Sequence, residues 1–119
     1  MPQLSESLSG RPLRQEERDL ILPLLSEVYD SIELEKILAD SRVTDMQDGG
    51  MGSLQFGVRE HRSFGKVVAK ARYVDSDGVL VSIVINTDRE GKLFELDFWK
   101  VDFSRLKRYP TDSDLLIEH

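Results

Sequence analysis

Apolar residues recur at helical spacing through the first third of this chain and alternate with polar ones through most of the rest. Over 15–29, Leu20, Ile21, Leu24, Leu25 and Val28 fall on one helical face, with Glu16, Glu17 and Asp19 in the first turn, where the helix dipole favours acids. Pro23 interrupts this pattern and predicts a kink or a break into two pieces, because proline removes a backbone hydrogen bond and crowds the preceding turn. Ile32, Leu34, Ile37 and Leu38 predict a second short helix ending at Asp40 or Ser41, with Asp30, Glu33, Glu35 and Asp40 facing water.

Beyond Ser41 the period changes to two, and breakers come at short intervals. Strands are expected over 42–46, 54–58, 66–74, 79–87 and 93–99. Asp75-Ser76-Asp77-Gly78 and Asp88-Arg89-Glu90-Gly91 are short turns ending in glycine, which implies an antiparallel meander. Val67, Ala69, Ala71 and Tyr73 share one face opposite Lys66, Lys70 and Arg72, and Val79, Val81, Ile83 and Ile85 form a matching face. Phe94, Leu96 and Phe98 are expected to point one way, with Glu95, Asp97 and Trp99 on the other, placing a large aromatic among carboxylates on the non-core side. A bulge there would move Trp99 inward, and Val101 and Phe103 hint at such a change of phase.

The expected fold is α+β, with one or two N-terminal helices packed on one face of a curved four- or five-stranded antiparallel sheet, as a cystatin-like or similar roll. The 119 residues make one domain, expected over 11–109 between a flexible leader at 1–10 and a C-terminal tail at 110–119. No apolar run approaches the roughly 18 residues of a membrane helix, and MPQLSESLSG has neither the basic nor the apolar region of a secretory signal. Cysteine is absent, so disulfides, thiolate nucleophiles and sulfur-ligated metals are excluded. A cytoplasmic protein is expected.

The net charge of −6 lies wholly in the first half, where residues 1–60 carry 6 Lys/Arg against 12 Asp/Glu, while 61–119 carry 10 of each. An acidic balance argues against nonspecific binding to nucleic acid and favours a basic protein partner. Lys100, Arg105, Lys107 and Arg108, interleaved with Trp99, Phe103 and Tyr109, would suit a single nucleic-acid strand, but the overall acidity and the demand of a core for aromatics stand against it.

Most candidate chemistries fail on spacing. Asp48-Gly49-Gly50-Met51-Gly52 has no Lys-Ser/Thr after it, and a dinucleotide pattern starting at Gly50 would need glycine at Gln55. These glycines are better read as a wide turn or bulge leaving Met51 exposed or tucked under the sheet, in a loop able to contact a partner. Asp45, Asp48, Glu95, Asp97 and Asp102 would converge if the first and last strands approached one another, offering a hard-cation site or paired general acid and base, or only a solvated face. Asp75, Asp77 and Gly78 lack the later Glu of a calcium loop, His61 lacks partners for a metal site or a triad, and Ser53, Ser63, Ser82 and Ser104 lack a nucleophile elbow.

Three strings carry a resemblance. Gly10-Arg11-Pro12-Leu13 leading into Glu16-Glu17, the segment DMQDGGMGSL from Asp45, and ELDFWKVDFS from Glu95 together resemble a small bacterial domain-of-unknown-function family, over about residues 10–115. At Arg14 that family often has Ser or Thr, so the usual helix N-cap is missing here. The resemblance implies no activity, cofactor or catalytic residue. The expected function is therefore a noncatalytic protein-binding module, in an immunity or antitoxin-like role, with Asp48, Met51, Glu95, Asp97, Trp99 and Asp102 as contact candidates. The alternative is a small-ligand-binding domain or enzyme with a pocket between helix and sheet and Glu95, Asp97 and Asp102 at its mouth. Self-association as a homodimer, through a sheet edge or the Trp99 face, is a third possibility.

Overall fold

The computed structural model describes residues 10–118. The leader expected over 1–10 thus lies outside the described residues except for Gly10. The elements run β1 (Arg11–Pro12), α1 (Gln15–Leu25), α2 (Ser31–Asp40), β2 (Arg42–Asp45), β3 (Leu54–Phe56), β4 (Phe64–Val74), β5 (Leu80–Asp88), β6 (Leu93–Lys100), a 3-10 turn (Asp112–Asp114) and β7 (Leu116–Glu118). All strands join one antiparallel sheet in the order β1-β2-β3-β6-β5-β4-β7. The α+β class holds, but the sheet has seven strands rather than four or five. The two extra strands are short edges with little periodicity: Arg11–Pro12, and Leu116–Glu118 from the segment read as a tail.

Helix α1 starts without a hydroxyl or carboxylate cap at Arg14. The Arg14 backbone N–H instead donates to Glu17 Oε1 at 2.8 Å, and the same carboxylate receives both terminal nitrogens of Arg11 at 2.9 Å. Glu17 is thereby satisfied although buried. Pro23 sits in the last turn, and α1 stops at Leu25 instead of continuing toward Tyr29. Helix α2 begins at an Asp30 cap that accepts the Glu33 N–H at 2.8 Å. Its Leu34 and Leu38 are buried, whereas Ile32, counted in the apolar pattern, is exposed.

The helices contribute Leu20, Ile21, Leu24, Leu25, Leu34 and Leu38 to a single core with Val43, Leu54, Phe56, Ala71, Tyr73, Val81, Ile83, Ile85, Leu96 and Phe98 of the sheet. Burying each large aliphatic side chain stabilises the fold by about 2 kcal/mol. Phe94 breaks the expected alternation. Thr87 pairs with Leu93 and Asn86 with Glu95, so Phe94 is the extra residue of a bulge. Leu93 takes the core position, and Phe94 leaves the core cluster to lie against the guanidinium groups of Arg59 and Arg62, 5.1 and 4.9 Å from its ring centroid. Because the bulge comes five residues before Trp99, the later alternation is intact and Trp99 stays on the outer face.

Candidate functional site

Among the described residues both helices lie on one face of the sheet, and the other face is open. Its register follows from the strand pairing. Lys70 of β4, Val84 of β5 and Asp97 of β6 form one row across the sheet, and Arg72, Ser82 and Trp99 form the next. On the far side of β4, Leu116 pairs with Arg72 and Glu118 with Lys70. Trp99 is 53% exposed, and Val74, Leu80 and Leu116 beside these rows are exposed as well.

A turn after β6 builds the aromatic centre of this face. The Phe103 N–H donates to the Lys100 carbonyl at 2.9 Å, and Phe103 adopts a φ of 64°, rare for a residue with a Cβ. Its ring meets Trp99 edge-on, with centroids 4.9 Å apart and planes at 75°. Asp102 pins the turn: its Oδ1 accepts the Ser104 N–H at 3.0 Å and the Ser104 hydroxyl at 2.6 Å, and these bonds hold its carboxyl below the usual range. The Asp102 carboxylate is thus engaged within its own loop.

Glu95 and Asp97 differ in partners. Arg59 donates to Glu95 Oε2 at 2.6 Å and also to Gln55 Oε1. Asp97 has only the Asn86 amide, which reaches its Oδ2 at 3.4 Å and Glu95 Oε1 at 3.3 Å. Burial and the Glu95 charge, with a smaller push from Asp48, raise the Asp97 carboxyl to about 6, against the pull of Arg59. Across β5 stand Lys70 and Arg72, which form no ion pair among the described residues. The open face therefore carries uncompensated charge of opposite sign on its two flanks.

The remaining candidates are structural in placement. Asp48 accepts the N–H groups of Met51 at 3.1 Å and Ser53 at 2.9 Å, shaping the glycine loop. Met51 is tucked in, 8% exposed, and its sulfur accepts the Lys100 backbone N–H at 3.3 Å. Gly50 has a φ of +82°, and a Cβ there would lie 3.1 Å from Arg105 Nε, so this loop is glycine-rich because it folds tightly beneath the 105–106 segment. Asp45 pairs with Arg11 at 2.9 Å, on β2 and two strands away from β6, which leads to Asp102. Asp48 and Glu95 come near enough for Asp97 to feel both charges, but Asp45 and Asp102 are engaged elsewhere, and among the described residues no three His, Cys, Asp or Glu side chains are grouped to hold a metal ion. His61 is an exposed loop residue at a φ of 62°.

The basic and aromatic residues near the C-terminus do not form a continuous track either. Lys100 is fully buried, with Nζ donating to Asp75 Oδ2 at 2.9 Å, Asp77 Oδ2 at 2.6 Å and the Arg105 carbonyl at 2.9 Å. Burial raises the Asp75 carboxyl, but the Lys107 N–H, Lys100 and the Ser76 N–H outweigh it and hold the group at about 2. This network ties the β4–β5 turn, the end of β6 and the 105–108 segment together. Arg108 is engaged by Asp114 at 2.6 Å.

Sequence reasoning found Trp99, Glu95 and Asp97 on the outer face but did not bring Lys70 and Arg72 to it. The signal was present in the polar side of β4; joining it to β6 requires knowing that β5 lies between them. No described helix is long and apolar enough to cross a membrane. Comparison with curated proteins and with solved structures gave no match. A family model described as a domain of unknown function, DUF6984, matches residues 10–110, and the chain belongs to that family.

Proposed function

We propose that this chain is a noncatalytic protein-binding module whose contact surface is the open sheet face around Trp99. The observation that carries the reading is the Trp99–Phe103 pair standing exposed beside Asp97, a half-buried carboxylate with no cation of its own. Exposed aromatics beside uncompensated charge are the composition of interface hot spots. A partner supplying a lysine or arginine to Asp97 and an apolar side chain to Trp99 satisfies both, in keeping with the acidic balance of the chain. In this reading the module works in a bacterial cytoplasm, and an immunity or antitoxin-like role is its specific form. The cystatin-like roll is part of the same proposal, supported by two helices on one side of an antiparallel sheet.

The test is capture from a lysate of the native host on immobilised wild type, Trp99→Ala and Asp97→Lys, each first shown to be folded, followed by titration of the purified captured protein. The expected result is a protein bound by wild type and weakened about tenfold or more by either substitution. Equal binding to all three would remove this face as the contact surface. Rescue of cells from a neighbouring toxic product on co-expression would support the immunity form, and no binding to any neighbouring product would end it.

One observation favours a second reading, a small-ligand site. A groove of about 430 Å³ between α2 and the adjoining ends of β3 and β6 has Ile37, Phe56 and Leu93 in its lining. Arg42 and Lys92 also line it, with Arg62, whose guanidinium is already held by Asp88 and the Phe56, Val58 and Leu93 carbonyls, and the single acid Asp40; Arg42 Nε is buried with no hydrogen-bond partner. Glu95, Asp97 and Asp102 do not line this groove, so its chemistry suits an organic anion with an apolar body rather than carboxylate catalysis. Thermal shift with aryl carboxylates and aryl phosphates tests it: stabilisation abolished by Arg42→Ala supports the site, and no stabilisation by any of them contradicts it.

A further inference from the structure

The open face is complementary to itself. Across β4, β5 and β6 its rows read cation, uncharged, anion (Lys70, Val84, Asp97) and cation, hydroxyl, aromatic (Arg72, Ser82, Trp99). We propose that this face pairs with the same face of a second copy about a two-fold axis lying parallel to β5, placing Lys70 and Arg72 of one protomer on Asp97 and Trp99 of the other. The inference rests on the reading of this face as a protein-contact surface, and names one occupant for it.

The axis follows from the charge pattern. A two-fold axis in the interface and parallel to β5 exchanges left and right across the sheet but keeps each row at its own height, so β4 of one copy lies over β6 of the other. Lys70 then meets Asp97 and Arg72 meets the Trp99 ring, each twice because the interface is isologous. The in-plane axis perpendicular to the strands stacks β4 on β4 and sets Lys70 and Arg72 against like charges, which disfavours it. Glu118 lies beside Lys70 in the first row, so in this arrangement the lysine stands between two acids, one of its own chain and one of the other. Arg59 already neutralises Glu95, so Asp97 is the acid with charge to offer.

The face is modest in flat area, and its side chains and flanking turns supply the rest of a contact. The nine residues of β5 span about 30 Å, and the three strands β4, β5 and β6 that pair across the axis span about 14 Å, a flat patch of about 400 Å² before side-chain relief is counted. Standard interfaces bury about 800 Å² per partner. Val74, Leu80, Leu116 and Trp99 supply exposed apolar area within or at the border of this patch. Sheets packed face to face in this way lie about 30° apart, as their twist requires.

Light scattering coupled to size exclusion, over a concentration series, tests the proposal with four proteins: wild type, Lys70→Glu, Asp97→Lys and Trp99→Ala. Wild type is expected to approach twice the chain mass as concentration rises. Each single charge reversal sets two like-charge pairs against each other and weakens the dimer about tenfold or more. An equimolar mixture of Lys70→Glu and Asp97→Lys restores opposite charge at both contacts and is expected to dimerise where neither variant does so by itself. Wild type remaining at the chain mass at millimolar concentration overturns the proposal, as does a dimer indifferent to all three substitutions or a mixture no more associated than its components. Thermal unfolding of each variant shows that it is folded. A monomeric wild type that still captures a lysate protein through Trp99 would end self-pairing while leaving the contact face itself in place.

Discussion

Asp97 shows how far the open face departs from an ordinary solvated surface. Its carboxyl, pushed from 3.8 to about 6, binds a proton more tightly in the folded chain than in the unfolded one. Folding stability contributed by this group is therefore greatest below about pH 4 and falls as pH rises toward and through 6. The two-unit displacement is worth about 3 kcal/mol without screening, and about 1 kcal/mol once the half-exposed position is discounted. Asp97→Asn is thus predicted to raise Tm by about 4 °C at pH 7 and to leave it nearly unchanged at pH 3.5; a lower Tm at pH 7 would contradict the assignment. Lys100 poses the opposite case. Its ammonium is buried among Asp75, Asp77 and the Arg105 carbonyl, so Lys100→Met leaves Asp75 buried without its cation and is predicted to lower Tm by roughly 10 °C. Asp75 is held at about 2, so its contribution is present above its ordinary pKa and lost as pH falls through that range. Thermal scans between pH 2 and pH 5 measure this, and the loss in that window is expected to be smaller for the Lys100 variant. Nothing local in the sequence separates Lys100 from the exposed Lys107, because the two aspartates that bury it come from a turn 23–25 positions earlier.

At the scale of elements, what was legible followed periodicity. Helix α2, the inward face of β5 and that of β4 from Ala69 onward were readable from spacing and breakers, since each depends on neighbours within a few residues, whereas Val67, expected inward, is 40% exposed because the β4–β5 register slips between Val67 and Ala69. The departures sit where a distant segment decides. Phe94 leaves the core because the β5–β6 register slips by one residue, and Arg59 and Arg62 from the loop before β4 then cover it. The β4 start follows the same logic. Gly65 lies at a register shift, and a Cβ there would come within 2.2 Å of the Asp88 carbonyl oxygen, a backbone atom with no freedom to move aside. Gly65→Ala is predicted to cost about 2 kcal/mol in urea unfolding; an unchanged midpoint would show that the strands do not approach this closely. Arg14 offers no capping side chain and is compensated by Glu17 accepting its backbone N–H, a substitute cap that the N-cap residue itself does not reveal.

The molecule as a whole is a sheet with helices on one side, and its chemistry follows from the asymmetry. Acids that looked like one cluster along the sequence take different partners: Asp48 shapes its loop, Asp102 pins its turn, Glu95 is bound by an arginine, and Asp97, which feels the Glu95 and Asp48 charges, has no ion-pair partner among the described residues. Cations assigned to no site in the linear reading come to flank that last acid across β5. Strand order, which composition and spacing do not encode, turns two unremarkable polar faces into one surface with opposite charge on its flanks and Trp99 beside Asp97 on the acidic one. Trp99 is the one tryptophan of the chain, so its indole N–H gives one resonance in the 15N-labelled protein. Following that resonance as the labelled chain is concentrated, and as an unlabelled captured partner is added, tests the contact face most directly. The account predicts that it shifts or broadens as either complex forms; complexes that form while the indole resonance stays unmoved would contradict it.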